Sequence, residues 1–154
     1  MKYLLGVFVT LVAAPVFVLS QNPAPAQPTT PVSKVIFVDH DKVAAALAKG
    51  GGLVSASDVL VLGAHRDKSG QVEVHDKEMV VIYVIDGTAT FVTGGKIVGA
   101  KNSRPGQWLG TDVTGGTPQK LVKGDMVVVP AGTPHWFKEV PTTISYYVVK
   151  VIKP

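Results

Sequence analysis

From Leu53 onward the apolar residues of this chain come in short runs, many of them β-branched, and pairs such as Asp86-Gly87, Gly94-Gly95, Pro105-Gly106 and Gly115-Gly116 fall between them. Glycine in such pairs accepts the positive φ of tight turns without steric cost, and runs this short suit strands better than helices. The pattern predicts a turn-rich all-β protein rather than a helix bundle. With 154 residues the chain has room for one domain around one core. Strands are expected at 58–64, 72–75, 80–85, 88–93, 96–98, 107–110, 119–122, 126–129, 135–139 and 143–152, enough for a double-sheet jelly roll.

The amino-terminal segment is of another kind. Lys2 precedes the charge-free, mostly apolar run Tyr3–Leu19, and a Pro/Ala/Gln-rich stretch follows, as in a secretory signal peptide. Residues 1–26 are therefore read as signal and start of a linker, 27–33 as linker, and 34–154 as the folded domain. The small residues of Ala24-Pro25-Ala26 suggest cleavage before Gln27, with Val18-Leu19-Ser20 before Gln21 as the alternative site and an uncleaved membrane anchor as the second reading. Export to the periplasm or the exterior follows, with no stable membrane insertion after cleavage. Lys34–Val38 reads as a first strand and Asp41–Lys49 as one short helix, capped by Asp39 or Asp41 and ended by Gly50-Gly51-Gly52. His40, beside the helix start, is expected at the surface.

The chain has no cysteine, so the fold rests on its core without disulfides, and any metal site must use histidine and carboxylate. Net charge is +4, and the lysines, Lys101, Lys138 and Lys150 among them, are scattered rather than blocked. That describes a solvated surface, not a nucleic-acid-binding face.

The run Gly124-Asp-Met-Val-Val-Val-Pro130-Ala-Gly132-Thr-Pro-His135 ends a strand at a Pro/Gly turn and starts another at a histidine. Upstream, strand alternation sets Glu73 and His75 on one face of an extended segment, so two strands can converge on one ion. His65 is a further candidate, as ligand, as general base, or as a buried histidine bonded to backbone. The strand at 80–85 is apolar on both faces, so both must be covered, by a second sheet, the helix or a second subunit. Tyr83 either lies on its outer side, as its offset from Val80 suggests, or donates its hydroxyl to a bound substrate. Trp136 and Phe137 should point to opposite faces. The long segment 99–117 either folds over the barrel mouth, with Trp108 as a wall, or extends a hairpin with Trp108 outside.

These residues resemble the cupin superfamily, whose second motif reads Gly, five residues, Pro, one residue, Gly, two residues, His, three residues, Asn. Gly124, Pro130, Gly132 and His135 match it, and Glu139 stands where the asparagine would be. In the first motif, Gly87 fits the closing glycine and His75 the second histidine, while Glu73 takes the place of the first histidine and Val80 that of the glutamate. Gly132–Val140 with Gly94-Gly95 is also similar to a group of small, secreted, single-domain bacterial cupins. The resemblance implies a double-stranded β-helix, or jelly-roll barrel, with one short amino-terminal helix. It further implies a divalent ion, iron, manganese or zinc, held by Glu73, His75 and His135, with Glu78 and His65 as additional candidates. Val80, Ile82, Trp108 and Trp136 would line the pocket for a small-molecule ligand or substrate, and a homodimer is expected. The chemistry could be that of a dioxygenase, isomerase or lyase, and the alternative is a metal-free binding or structural cupin.

Overall fold

In the computed structural model, residues 28–153 are described, and the signal-peptide reading lies outside them. The Asp39 carboxylate accepts a hydrogen bond from the Lys42 N–H at 2.9 Å, capping helix α1 (His40–Lys49), and Gly50 at φ 79° ends it. His40 is exposed on its first turn. Only Gly50 serves as the stop, because Gly51 and Gly52 already belong to strand β1 (Gly51–Ser55). No strand forms over residues 34–38, where Val35 and Phe37 are 97% and 88% exposed. A β-branched run becomes a strand only against a partner, and within the described residues this run has none.

The remaining strands are β2 (Val59–Arg66), β3 (Val72–His75), β4 (Glu78–Thr93), β5 (Lys96–Val98), β6 (Lys101–Arg104), β7 (Gln107–Gly110), β8 (Asp112–Thr114), β9 (Thr117–Val122), β10 (Met126–Val129), β11 (His135–Glu139) and β12 (Ile144–Ile152). They form one antiparallel ten-stranded sheet in the order β1-β2-β12-β4-β11-β3-β7-β6, with β9 and β10 also on β4, and a small β5-β8 ribbon. The jelly-roll expectation is met. No helix among the described residues is long and apolar enough to cross a membrane.

Strand β4 holds the barrel together. The two strands expected at 80–85 and 88–93 are one strand of 16 residues, and Asp86-Gly87 lies within it, next to a bulge at Ile85, rather than at a hairpin. Opposite it β12 pairs with Val84 and Asp86 but skips Ile85, and Gly87 takes φ 85°. Positive φ at glycine serves a bulge as well as a turn, and the bulge bends the strand from one side of the barrel to the other. Its amino-terminal half pairs with β12 and β10, its carboxy-terminal half with β11 and β9. The other two glycine pairs are not hairpin tips either. Thr93 pairs with Thr117 and Lys96 with Thr114, so Gly94-Gly95 and Gly115-Gly116 face each other where a long ribbon breaks between β4-β9 and β5-β8.

Along β4, Val80, Ile82 and Val84 point inward and meet Phe91, Phe137 and Ile144 in the core. Each such side chain contributes about 1.5–3 kcal/mol through burial. On the outer side, Tyr83 pairs across to Met126 and Tyr147, and Val81 to Val128 and Val149. Helix α1 packs on β2 at Gly63, and Tyr83, Met126 and Val128 remain exposed.

Segment 99–117 is a meander rather than a flap. Strands β6 and β7 form a hairpin through Pro105-Gly106, and β7 pairs with β3 so that Trp108 sits opposite Val74, on the face away from Glu73 and His75.

Candidate metal centre

Two strands supply the three ligand candidates. Alternation on β3 turns Glu73 and His75 into the barrel, and β11 sets His135 directly across from Glu73. The turn before β11 is fixed by its own backbone: Gly132 N–H donates to the His75 carbonyl at 2.7 Å, and Gly94 N–H donates to the Pro134 carbonyl at 2.9 Å. The imidazoles of His75 and His135 lie with ring centroids 5.2 Å apart. One ligand atom each from Glu73, His75 and His135 falls within 4.8 Å of the others.

His135 is 7% exposed, and its Nδ1 lies 3.0 Å from the Thr133 carbonyl. A carbonyl only accepts, so Nδ1 carries the proton and Nε2 offers its lone pair to the cavity. Burial keeps this ring's pKa below the ordinary histidine value, with the Thr133 bond opposing it. His75 is 1% exposed and has neighbours on both edges. Its Nε2 is 3.3 Å from Glu73 Oε2 and 3.1 Å from Lys150 Nζ. These two neighbours make opposite demands, the carboxylate for a proton and the ammonium for a lone pair. The Lys150 contact is shorter and has hydrogen-bond geometry, so the lone pair goes to it. The Nδ1 edge then carries the proton and faces Glu78 Oε2 at 3.1 Å, off the direction of a true hydrogen bond.

Lys150 reaches this cluster from β12, where it is 8% exposed, and donates to Glu78 Oε2 at 2.7 Å. Arg104 donates to the other Glu78 oxygen at 3.2 Å. On the far side Arg66 Nη2 lies 3.7 Å from Glu73 Oε1, while its Nε donates to the Tyr146 hydroxyl at 2.8 Å. Burial opposes ionisation of Glu73, but the neighbouring His75, His135 and Lys150 outweigh it and hold its pKa to about 2. Glu78 is shifted the same way: burial again opposes, and Lys150 with His75 and Arg104 prevails. Burial raises the Tyr146 hydroxyl above its ordinary value, against Arg66.

A cavity of about 210 Å³ opens over the cluster, walled by Leu62, Val80, Ile82 and Trp136, with Arg66, His75, His135 and Lys150 as polar groups. Val80, Ile82 and Trp136 thus stand where the sequence reading put them. Three other residues do not. Trp108 is outside, its Nε1 donating to the Asp76 carboxylate at 3.1 Å. His65 is on the outer side of β2, exposed and bonded through Nδ1 to Ser145 Oγ at 2.9 Å, because the strand's alternation turns it toward α1. Glu78 does point inward, but on the Nδ1 side of His75, away from Glu73, with both oxygens engaged by cations. Lys150, read from the sequence as a surface lysine, is in the site. Arg66 and Tyr146 were not foreseen either.

Two imidazoles and one carboxylate converging at this distance are a donor set that iron, manganese or zinc accepts, and the residues present fit such an ion. Fold and site together define a small β-barrel with a histidine–carboxylate cluster inside. The family model described as Cupin matches residues 33–152, and the chain belongs to that family. Among solved structures it is similar to BH2720 from Bacillus halodurans, with TM-score 0.55 and 14% identity over 81% of this chain and 87% of that one. It is also similar to a conserved Klebsiella pneumoniae protein with a double-stranded β-helix domain, with TM-score 0.51 and 16% identity over 78% of this chain and 91% of that one. At these identities the likeness is one of fold. No curated protein matches the sequence.

Proposed function

We propose that this cupin is an exported protein that holds one divalent ion through Glu73, His75 and His135 and binds or transforms a small molecule in the cavity above it. The observation that carries the reading is the convergence of these three ligand atoms in a buried pocket. An ion held there would supply Lewis acidity and, if it is iron or manganese, redox capacity. The residues do the rest. His135 is oriented by the Thr133 carbonyl, and Leu62, Val80 and Ile82 exclude water from one side of the ligand. The volume, about 210 Å³, suits a small molecule. Two cations, Arg66 and Lys150, line this cavity against one carboxylate, Glu73, so an acidic ligand is favoured.

Metal content of protein grown with iron, manganese and zinc tests this. One equivalent is expected in the native protein and almost none in the His75→Ala/His135→Ala variant; lack of stoichiometric metal in both sinks the metal reading. The mass of the same protein recovered from the periplasm tests export, with a chain starting at Gln27 expected and an uncleaved one counting against it. A second reading, metal-free binding of a small acid, is favoured by the Lys150 ammonium beside His75.

A homodimer is part of this proposal. The outer face of β10, β4 and β12 presents Met126, Val128, Tyr83 and Val151, which are 63%, 54%, 40% and 39% exposed, in register and without a charge among them.

A further inference from the structure

We propose that Lys150 is the site's own cation: its ammonium takes the lone pair of His75 that a metal would use, and a divalent ion enters only by displacing it. The inference rests on the metal reading above and adds what controls occupancy.

Three observations carry it. First, Lys150 Nζ is 3.1 Å from His75 Nε2, the nitrogen on the same edge as Glu73, and an ammonium has no lone pair, so at this contact the imidazole can only accept. A nitrogen donating its pair to N–H cannot also donate it to a metal. Second, the lysine is anchored rather than passing through: the residue is 8% exposed, and its ammonium donates to Glu78 Oε2 at 2.7 Å. Glu78 is in turn held by Arg104 at 3.2 Å, which keeps the carboxylate in place for the lysine. Third, the charges are already more than balanced. Arg66, Arg104 and Lys150 face only Glu73 and Glu78, so adding a dication beside an unmoved ammonium sets like charges together in a largely buried pocket, where water screens them poorly.

Cation and metal are therefore alternatives. With Lys150 in place, the cavity presents a fixed ammonium beside His75, suited to an acidic ligand. With Lys150 withdrawn, Glu73, His75 and His135 become a complete ligand set. In this role Lys150 is a positioning residue that sets metal affinity, and it need not touch substrate.

The test is direct titration of the metal-stripped full-length protein with zinc chloride or manganese chloride alone, by calorimetry at one fixed pH. Lys150→Met should bind at least tenfold more tightly than the native protein, equivalent to about 1.4 kcal/mol. Lys150→Met leaves Glu78 with one cation fewer, so Lys150→Met/Glu78→Gln is measured beside it and should show the same gain should the single variant fold poorly. Lys101→Met, at an exposed position, removes the same charge from the surface and should leave affinity unchanged. Equal affinity in the native and both Lys150 variants overturns the role given to Lys150 and leaves the ligand triad standing. A gain as large in Lys101→Met also overturns it, since net charge alone then suffices. No binding by any of the proteins overturns the triad and this inference together.

Discussion

At the scale of single residues, the two carboxylates of the cluster shape how the site answers to acid. Glu73 has its pKa held to about 2 from an ordinary 4.5, and Glu78 is shifted downward as well. Both are lower in the folded chain than in the unfolded one, so the stability they contribute is complete above 4.5 and is lost as pH falls, for Glu73 toward 2. The denaturation midpoint of the metal-free protein should therefore drop steadily between about pH 5 and about pH 2.5, and less steeply in Glu73→Gln. A flat midpoint across that window would contradict the ion pairs described. The same residues show what a sequence can reveal of a site. Glu73 and His75 were legible because β3 alternates cleanly, and His135 because a Pro/Gly turn announces it. Lys150 was not legible. In Ser145-Tyr-Tyr-Val-Val-Lys150-Val both faces of β12 are apolar, so a period of two cannot say which side is inside. His65 failed for a related reason: its strand has half-buried residues on both faces, one under α1 and one over the cavity.

Among elements, the contact of α1 with β2 is a close seam. A Cβ at Gly63 would fall 2.7 Å from both the carbonyl carbon and the Cβ of Ala46, so the helix lies on the strand with no room for a side chain. Gly63→Val should destabilise the protein by about 1–3 kcal/mol in chemical denaturation. Gly52→Ala, where an added Cβ meets nothing within 4 Å, should stay within about 0.5 kcal/mol. Similar losses in both would show that the seam is loose. Element boundaries were read best where a strand ends at proline or begins after one, as β10 and β11 do. They were read worst at the glycine pairs. Asp86-Gly87 satisfies the chemistry of a hairpin and of a bulge equally, and only the partner strand, β12, decides between them. Residues 34–38 have strand composition without a strand's neighbour, and composition cannot supply one.

For the molecule as a whole, the outer face of β10, β4 and β12 leaves apolar side chains exposed among the described residues. Sedimentation velocity should find the native protein as a dimer at tens of micromolar and Met126→Lys/Val128→Lys as a monomer of unchanged secondary structure. A monomeric native protein at that concentration would remove the case for self-association. The barrel itself was foreseeable from turn spacing, but which side of it meets a partner was not, because each strand at its centre is apolar on both sides. Inside, the hydrogen bond from Gly132 N–H to the His75 carbonyl has a consequence for how fast the site can work. It ties the loop that delivers one imidazole to the strand that delivers the other, so two ligands far apart in sequence travel as a single jaw. Nothing in that jaw has to be assembled when a guest arrives. Exchange then waits on side chains rather than on the slower opening of backbone.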